Sequence, residues 1–192
     1  MDIGSCGRQL ESKAPVKKGL ALMRVMAQMA YVDPAHAAEY QAFVERNLNP
    51  DQAPPLEGNR YFWGSDYLIH RRAGFFAALK MSSNRVIGAE TCNSENLSGY
   101  HLGDGMLLIQ RSGDEYHDIQ PVWNWRRLPG TTCLQTPGPL PPPYSSRVPT
   151  DFTGGLSDGV NGYAAMDYKR PGISARKSWF FMGQQEIGRA HV

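Results

Sequence analysis

The sequence has few cysteines, little net charge and no long apolar run, and each shortage excludes a class of protein. Its three cysteines, Cys6, Cys92 and Cys133, are spaced for neither a zinc site nor a disulfide framework, so we predict unpaired buried thiols. The net charge of +2 comes from scattered lysines and arginines, and no basic stripe indicates nucleic-acid binding. The longest apolar stretch, residues 19–32, is too short and too interrupted to cross a bilayer. No membrane partner is expected.

The two ends of the chain have unusual features. Residues 1–10 lack the basic start and apolar centre of a signal peptide. The last residues, EIGRAHV, are what the start of a common sequencing adapter encodes, so we interpret residues 186–192 as adapter read-through from a gene fragment. Met1 is then expected to be an internal methionine.

Two helices are predicted near the start. Apolar residues, many of them Met, recur at helical spacing over residues 16–31, and this stripe is interpreted as core. A second helix is predicted over residues 33–48, with Asp33 as its N-cap and Pro34 at the first helical position. The break at residues 49–59 is the best domain boundary. We therefore assign residues 1–52 to a helical domain and residues 53–185 to a second domain.

After this break the pattern becomes typical of strands. Short runs rich in aromatic and β-branched residues are separated by Gly, Asn, Asp and Ser turns. The predicted strands lie within residues 60–72, 74–83, 84–90, 105–113, 163–170 and 175–183. This pattern favours an antiparallel sheet or sandwich.

The stretch ETCNSENLSGYHLGDG, residues 90–105, is unusually rich in amides and carboxylates for a connection between strands. It has no metal-ligand spacing, so it either satisfies its own backbone or meets a polar partner. Further distinctive segments follow in order, and these are Gly-x-Glu-Tyr at 113–116, Pro-Val-Trp-Asn-Trp at 121–125 and Pro-Gly-Thr-Thr at 129–132. Each segment alone is weak, but their order is specific.

This ordered set resembles polysaccharide lyase family 8, which includes chondroitin AC, hyaluronate and xanthan lyases. The resemblance covers roughly residues 60–182 and, more loosely, the whole chain. It implies the end of an α/α toroid followed by part of an antiparallel β-sandwich of the galactose mutarotase-like supersandwich type. A monomer is expected at full length, with its signal peptide before Met1 and an extracellular or periplasmic location.

The family reaction is a β-elimination on a uronic-acid polymer, so the resemblance implies a lyase acting on chondroitin- or hyaluronan-type glycans. In the family, an Asn offsets the negative charge of the uronate carboxylate, a His and a Tyr transfer protons, and an Arg and a Glu support the Tyr. The counterparts in this sequence are Arg8 and Glu90 as catalytic residues, with Asn93 as a substrate-binding residue. A second family arginine is replaced by Ser12. The Asn, His and Tyr would precede Met1, so the chain alone is expected to be inactive.

Several alternatives stay open. Glu90 and Asn93 could serve only as loop caps, and the whole chain could be a non-catalytic carbohydrate-binding or structural sandwich. Trp123 and Trp125 could form a sugar-stacking platform, although alternation on a strand would place one of them in the core. We assign no proton-transfer role to His70, His101 or His117, which are scattered.

No metal or other cofactor is expected. Some relatives bind calcium through acidic residues within and after the Trp-x-Trp segment, and such oxygen ligands are what a hard cation requires. This sequence has Asn124, Arg126 and Gln135 at the corresponding places, and Arg126 would repel a cation.

Overall fold

The computed structural model of the chain describes residues 14–49, 52, 54, 56–89, 96–112, 115–116, 119–143, 146–183 and 187–191. They fall into two units, a helical one within residues 11–55 and a β-rich one mainly within residues 56–192. Arg8, Glu90 and Asn93 lie outside the described residues.

The helical unit consists of two helices joined by a short turn. Helix α1 spans Ala14–Val32 and helix α2 spans Ala37–Leu48, with a 3₁₀ turn at Pro34–His36 between them. Asp33 stands at the N-cap position of this turn, but its carboxylate makes no capping bond to the backbone. It instead accepts hydrogen bonds from His36 Nδ1, at 2.9 Å, and Tyr40 Oη, at 3.0 Å. Within the described part of the chain, no helix is both long and apolar enough to span a membrane.

The predicted apolar stripe of α1 is only partly covered. Met23, Met26 and Met29 are half-buried, whereas Leu20 and Leu22 are exposed. Among residues 20–49, 52 and 54, for which burial is described, none is fully buried. Two helices alone cannot enclose a core, because each covers only one side of the other.

The β-rich unit contains two four-stranded antiparallel sheets. The first sheet has the order β1 (Gly58–Phe62), β2 (Tyr67–Arg72), β3 (Phe75–Lys80) and β4 (Met106–Gln110). The second has the order β5 (Thr153–Ser157), β6 (Gly162–Arg170), β7 (Ile173–Phe181) and β8 (Ile187–His191). The prediction of a mainly β chain with antiparallel sheets preceded by two helices is confirmed.

The last strand coincides with the segment that we interpret as adapter read-through. Its pairing with β7 joins Phe181 to Ile187 and Lys177 to His191. Backbone hydrogen bonding at a sheet edge depends little on sequence, since the bonding groups belong to the main chain. The adapter interpretation therefore stays a prediction.

A shared core holds the two sheets face to face. Leu68, Leu79 and Met81 from the first sheet and the segment after it meet Trp179 and Phe181 from the second, and all five are buried. Alternation along β2, β3, β6 and β7 supplies these inward positions, as expected for a sandwich. A second, smaller core packs under β4 and comprises Ala89, Leu102, Met106, Leu108 and Leu128.

The predicted strand at residues 84–90 is wrong for the residues the structure describes. Residues 84–89 form bends instead, because their backbone bonds to an irregular segment opposite. Asn84 N donates to Thr150 O at 2.9 Å, and Gly88 N donates to Ser146 O at 2.8 Å. The connection from β3 to β4 therefore begins at residue 81, well before the polar stretch that the sequence singles out.

Candidate active-site loop and its support

The polar connection is closed at its base by two glycines. The backbones of Gly88 and Gly103 touch, and a Cβ atom added to Gly103 would overlap the Cα of Gly88. A Cβ added to Gly88 would lie 3.0 Å from the Cα of Gly103. Only glycine allows two backbones to approach this closely. The chain therefore leaves at residue 89 and returns at residue 102 through a narrow neck. We call residues 89–102 the loop; Glu90 and Asn93 lie within it in the sequence, outside the described residues.

Asn96 shapes the part of the loop that follows. It is buried and has a φ of 50°, a left-handed conformation that Asn adopts more readily than most residues. Its carbonyl accepts a hydrogen bond from Gly99 N at 3.2 Å. A Cβ atom on Gly99 would lie 2.7 Å from Asn96 Nδ2. Asn96 therefore fixes a turn at this end of the loop.

A buried carboxylate, Asp104, stands directly after the neck. Arg170 on β6 donates two hydrogen bonds to this carboxylate, from Nη2 to Oδ1 at 2.6 Å and from Nε to Oδ2 at 3.2 Å. His101 Nδ1 lies 2.7 Å from Oδ2, and Tyr168 Oη donates to the same oxygen at 3.3 Å. Burial by itself raises the pKa of Asp104, but the bonds from His101 and Arg170 outweigh it and hold the pKa below its usual value. Asp104 is therefore ionised and fully partnered.

Arg170 links this carboxylate to the opposite side of the neck. Its Nη2 donates to Ser146 Oγ at 2.9 Å, and Nη1 donates to Arg147 O at 2.7 Å. Ser146 Oγ in turn donates to Tyr100 O at 3.2 Å, and the guanidinium lies 4.6 Å from the centre of the Tyr100 ring. Burial acts to lower the pKa of Arg170, yet the bonds to Asp104 keep it above its usual value. One guanidinium thus joins the segment at 146–147, whose Ser146 O accepts from Gly88 N, to Tyr100 and Asp104 at the C-terminal end of the loop.

Lys177 on β7 fixes the backbone of the same region. It is fully buried, and its Nζ donates to Asp104 O at 2.6 Å and to Gly130 O at 2.9 Å. Its ammonium also lies 5.5 Å from the ring of Tyr168 and 5.4 Å from that of Trp179. A buried ammonium requires such partners, because it would otherwise lose its hydration without compensation. Lys177 therefore ties the loop that ends at residue 105 to the loop at residue 130.

We call Asp104, Arg170, Lys177, His101 and Ser146 the loop platform. The sequence points to only part of it, through the Gly-Asp-Gly turn at residues 103–105. Arg170 and Lys177 occupy inward positions of β6 and β7. A basic residue at an inward position of a predicted strand is the sequence signal that could have identified them. His101, which the sequence leaves without a role, is one of the buried members.

Comparisons with known proteins identify the family to which this architecture belongs. Residues 57–187 match the family model described as polysaccharide lyase family 8, super-sandwich domain. The chain belongs to polysaccharide lyase family 8. The family resemblance predicted from the ordered segments is confirmed.

Named relatives and a solved structure agree with the family match. Chondroitinase-AC of Pedobacter heparinus is 39% identical over 128 residues, which cover 66% of this chain and 18% of that protein. A hyaluronate lyase of Thermasporomyces composti is 33% identical over 156 residues, covering 76% of this chain and 19% of that protein. A solved chondroitinase AC lyase structure, from a study of enzyme–oligosaccharide complexes, matches with a TM-score of 0.76 at 32% identity, covering 89% of this chain and 26% of that one. The chain thus spans about a fifth to a quarter of the length of these lyases.

The Trp-x-Trp segment of this family 8 chain does not form a strand. A 3₁₀ turn at Gln120–Val122 precedes it, and the rings of Trp123 and Trp125 lie edge to face, with centres 5.5 Å apart. Both rings are partly buried and pack against the smaller core under β4. The segment turns instead of extending, so the strand considered for it in the sequence analysis is not present, and both rings contact the core. Neither ring is a flat, fully open platform.

Hydrogen bonds join the positions at which some family 8 relatives carry calcium ligands. Gln135 Nε2 donates to Arg126 O at 2.8 Å, and Asn124 Oδ1 accepts from Arg126 N at 3.1 Å. Arg127 Nε donates to Gln135 Oε1 at 3.0 Å. Among the described residues, no group of three or more His, Cys, Asp or Glu side chains could hold a metal ion. Direct amide and guanidinium bonds thus connect the two sides of this loop.

Proposed function

We propose that this chain is the part of a polysaccharide lyase that presents the loop of Glu90 and Asn93 to a uronic-acid polymer. The observation that carries the proposal is the loop platform, which holds the C-terminal end of residues 89–102 with buried, charge-assisted bonds. Its member Ser146 bonds Arg170 through Oγ and accepts a backbone bond from Gly88 N at the N-terminal end. A catalytic group must be held close to its productive position, because a small displacement lowers the rate greatly. A neck built from touching glycines and a buried Asp104–Arg170 pair supplies that rigidity.

The reaction is a β-elimination. A base removes the proton α to the uronate carboxylate, the glycosidic oxygen at the β position leaves, and an acid protonates that oxygen. Glu90 holds the guanidinium of Arg8 in its fork geometry, and that guanidinium favours the phenolate of the proton-transferring Tyr. Asn93 contacts the sugar. Related proteins bear the names chondroitinase and hyaluronate lyase, and these names support glycans of that type as substrates.

The whole enzyme acts outside the cytoplasm, in the medium or the periplasm, where such polymers are met. We propose that the 192-residue chain by itself is inactive, because the family resemblance identifies no counterpart of the proton-transferring His and Tyr within it. Incubating the purified chain with chondroitin and following the ultraviolet absorbance of an unsaturated uronate tests this. Appreciable turnover would contradict the assignment of roles.

The role of Glu90 is tested in the complete enzyme with Glu90→Gln. Elimination should slow by about two orders of magnitude, the scale of one lost catalytic group. The melting temperature should hardly change, since a rim ion pair contributes roughly 0–1 kcal/mol. The matched control is Glu57→Gln, an exposed carboxylate of the same domain that accepts a bond from Ala73 N at 3.1 Å. It should leave the rate unchanged.

A non-catalytic carbohydrate-binding or structural sandwich would give another pattern. Glu90→Gln would then lower stability, or change nothing, while activity per folded molecule stayed intact. A folded and fully active Glu90→Gln enzyme would show that Glu90 is not part of the site and that the polar residues of the loop serve only its own turns.

A further inference from the structure

A cavity of about 180 Å³ lies beside the loop platform and takes no part in the proposed elimination. Tyr100, His101, Arg126 and Cys133 form its polar side, and Leu140 and Ile173 belong to its apolar side. Cys133 is a free thiol and only partly buried. Its sulfur therefore borders a space that a small molecule can enter.

Cys133, His101 and Asp104 form a continuous line of contacts. Cys133 Sγ lies 3.0 Å from His101 Nε2, and His101 Nδ1 lies 2.7 Å from Asp104 Oδ2. The carboxylate of Asp104 accepts, so the imidazole carries its proton on Nδ1 and turns the lone pair of Nε2 toward the thiol. This is the arrangement by which a histidine takes a proton from a nucleophile, with a third group orienting the ring.

The surroundings make that proton transfer necessary for reaction. Burial raises the pKa of the Cys133 thiol, and the negative charge of Asp104 adds to this effect, while Arg126 and Arg170 oppose it. The thiol is therefore protonated at neutral pH. Because the thiolate is the reactive form, Cys133 should be inert unless a neighbouring base removes its proton. His101 Nε2 is in hydrogen-bonding contact for that purpose.

We propose that Cys133 is a modification site for low-molecular-weight disulfides, with His101 as the base and Asp104 as the positioning residue. The proton of Cys133 passes to His101 Nε2 as the sulfur attacks one sulfur of the reagent. The disulfide bond of the reagent breaks, a mixed disulfide forms on Cys133, and the departing thiolate takes the proton back from His101. The products are the modified chain and one small thiol, so no further oxidant is required.

The size of the cavity restricts the reagent. About 180 Å³ admits one half of a short aliphatic disulfide but not a bulky peptide disulfide. We therefore choose 2-hydroxyethyl disulfide as the probe, at neutral pH, with the purified chain. Peptide mass mapping locates the adduct and measures the rate at each of Cys6, Cys92 and Cys133 separately.

The first comparison needs no variant. Cys133 in the folded chain should react at least as fast as Cys133 in the urea-unfolded chain. A thiol that is merely buried would react more slowly when folded, because both access and pKa oppose it. A folded rate well below the unfolded rate would overturn the proposal.

The second comparison tests the base. His101→Gln should slow modification of Cys133 by at least about tenfold. This is a conservative limit, because a positioned general base typically contributes about 10²–10⁴-fold to a rate. The matched control is His36→Gln, which removes an imidazole hydrogen-bonded to a different carboxylate, that of Asp33. It should leave the rate unchanged. Circular dichroism establishes that each variant is folded, and an unchanged rate in folded His101→Gln would refute the role of His101.

Discussion

The buried ion pair of Asp104 and Arg170 gives the sharpest test of the loop platform. In Asp104→Asn the shape is nearly kept, but the charge is lost and an amide NH₂ replaces one accepting oxygen. That NH₂ would face donors of Arg170, His101 or Tyr168, all of which now bond the carboxylate. The Arg170 guanidinium, only 7% exposed, would keep its charge without its counter-ion.

Breaking a buried pair on one side costs about 3–5 kcal/mol, because the remaining charge stays desolvated. Small domains have a free energy of unfolding of about 5–15 kcal/mol in total, so the variant should lose a large share of it. Urea denaturation measures this loss, followed by tryptophan fluorescence, since Trp179 lies fully buried in the shared core.

Two further variants complete the test. Asp104→Asn combined with Arg170→Met removes both charges and should recover part of the loss, since no unpaired guanidinium remains. Asp167→Asn is the matched control, because Asp167 pairs with Arg176 at 3.7 Å on the surface, with the two side chains 44% and 83% exposed. It should cost about 1 kcal/mol or less. If Asp104→Asn costs no more than Asp167→Asn, the platform is not held by a buried ion pair.

Three other perturbations probe separate features. Gly103→Ala should destabilise the chain by about 1–3 kcal/mol in urea denaturation, because the added Cβ would overlap Gly88. Gly64→Ala is the control and should be nearly neutral, because a Cβ added there has no atom within 4 Å. Burial, with the charge of Arg72 adding to it, lowers the pKa of His70, so below about pH 6.5 the unfolded chain binds a proton that the folded chain does not. The melting temperature should therefore fall as pH drops from 7 toward 5, and His70→Phe should flatten that slope; an equal slope in both would contradict it. Calcium or a chelator should leave the melting temperature unchanged, since Arg126 and Gln135 stand where the relatives' acidic ligands do; stabilisation by calcium would refute this.

The sequence predicts the sandwich well because its strands alternate. The pattern predicts strands at residues 163–170 and 175–183; β6 covers the first completely, and β7 begins and ends two residues before the second. Their inward positions recur every second residue, which one sequence is enough to reveal. The run at 60–72 divides into two strands around a turn at residues 63–66, where Asp66 has a φ of 48°. Strand type was therefore easier to predict than the strand limits.

The irregular connections could not be predicted in the same way. Residues 84–89 have the composition of a strand, but they bond to Ser146 and Thr150, about 60 residues later in the chain. No local pattern encodes such a partner. The platform was missed for the same reason, since Asp104 meets Arg170 and Lys177 only after two sheets have packed together. The Cys133–His101 contact likewise joins residues 32 positions apart.

The narrow neck of the loop has a consequence for how such enzymes diverge. The described bonds at the neck join two glycine backbones and side chains outside residues 89–98, so these bonds do not depend on which residues occupy that segment. Substitutions and changes of length there can accumulate without loosening the sandwich beneath, much as antibody loops vary on a constant framework. Relatives could thus exchange this segment as a cassette and acquire a new sugar preference while the scaffold stays the same.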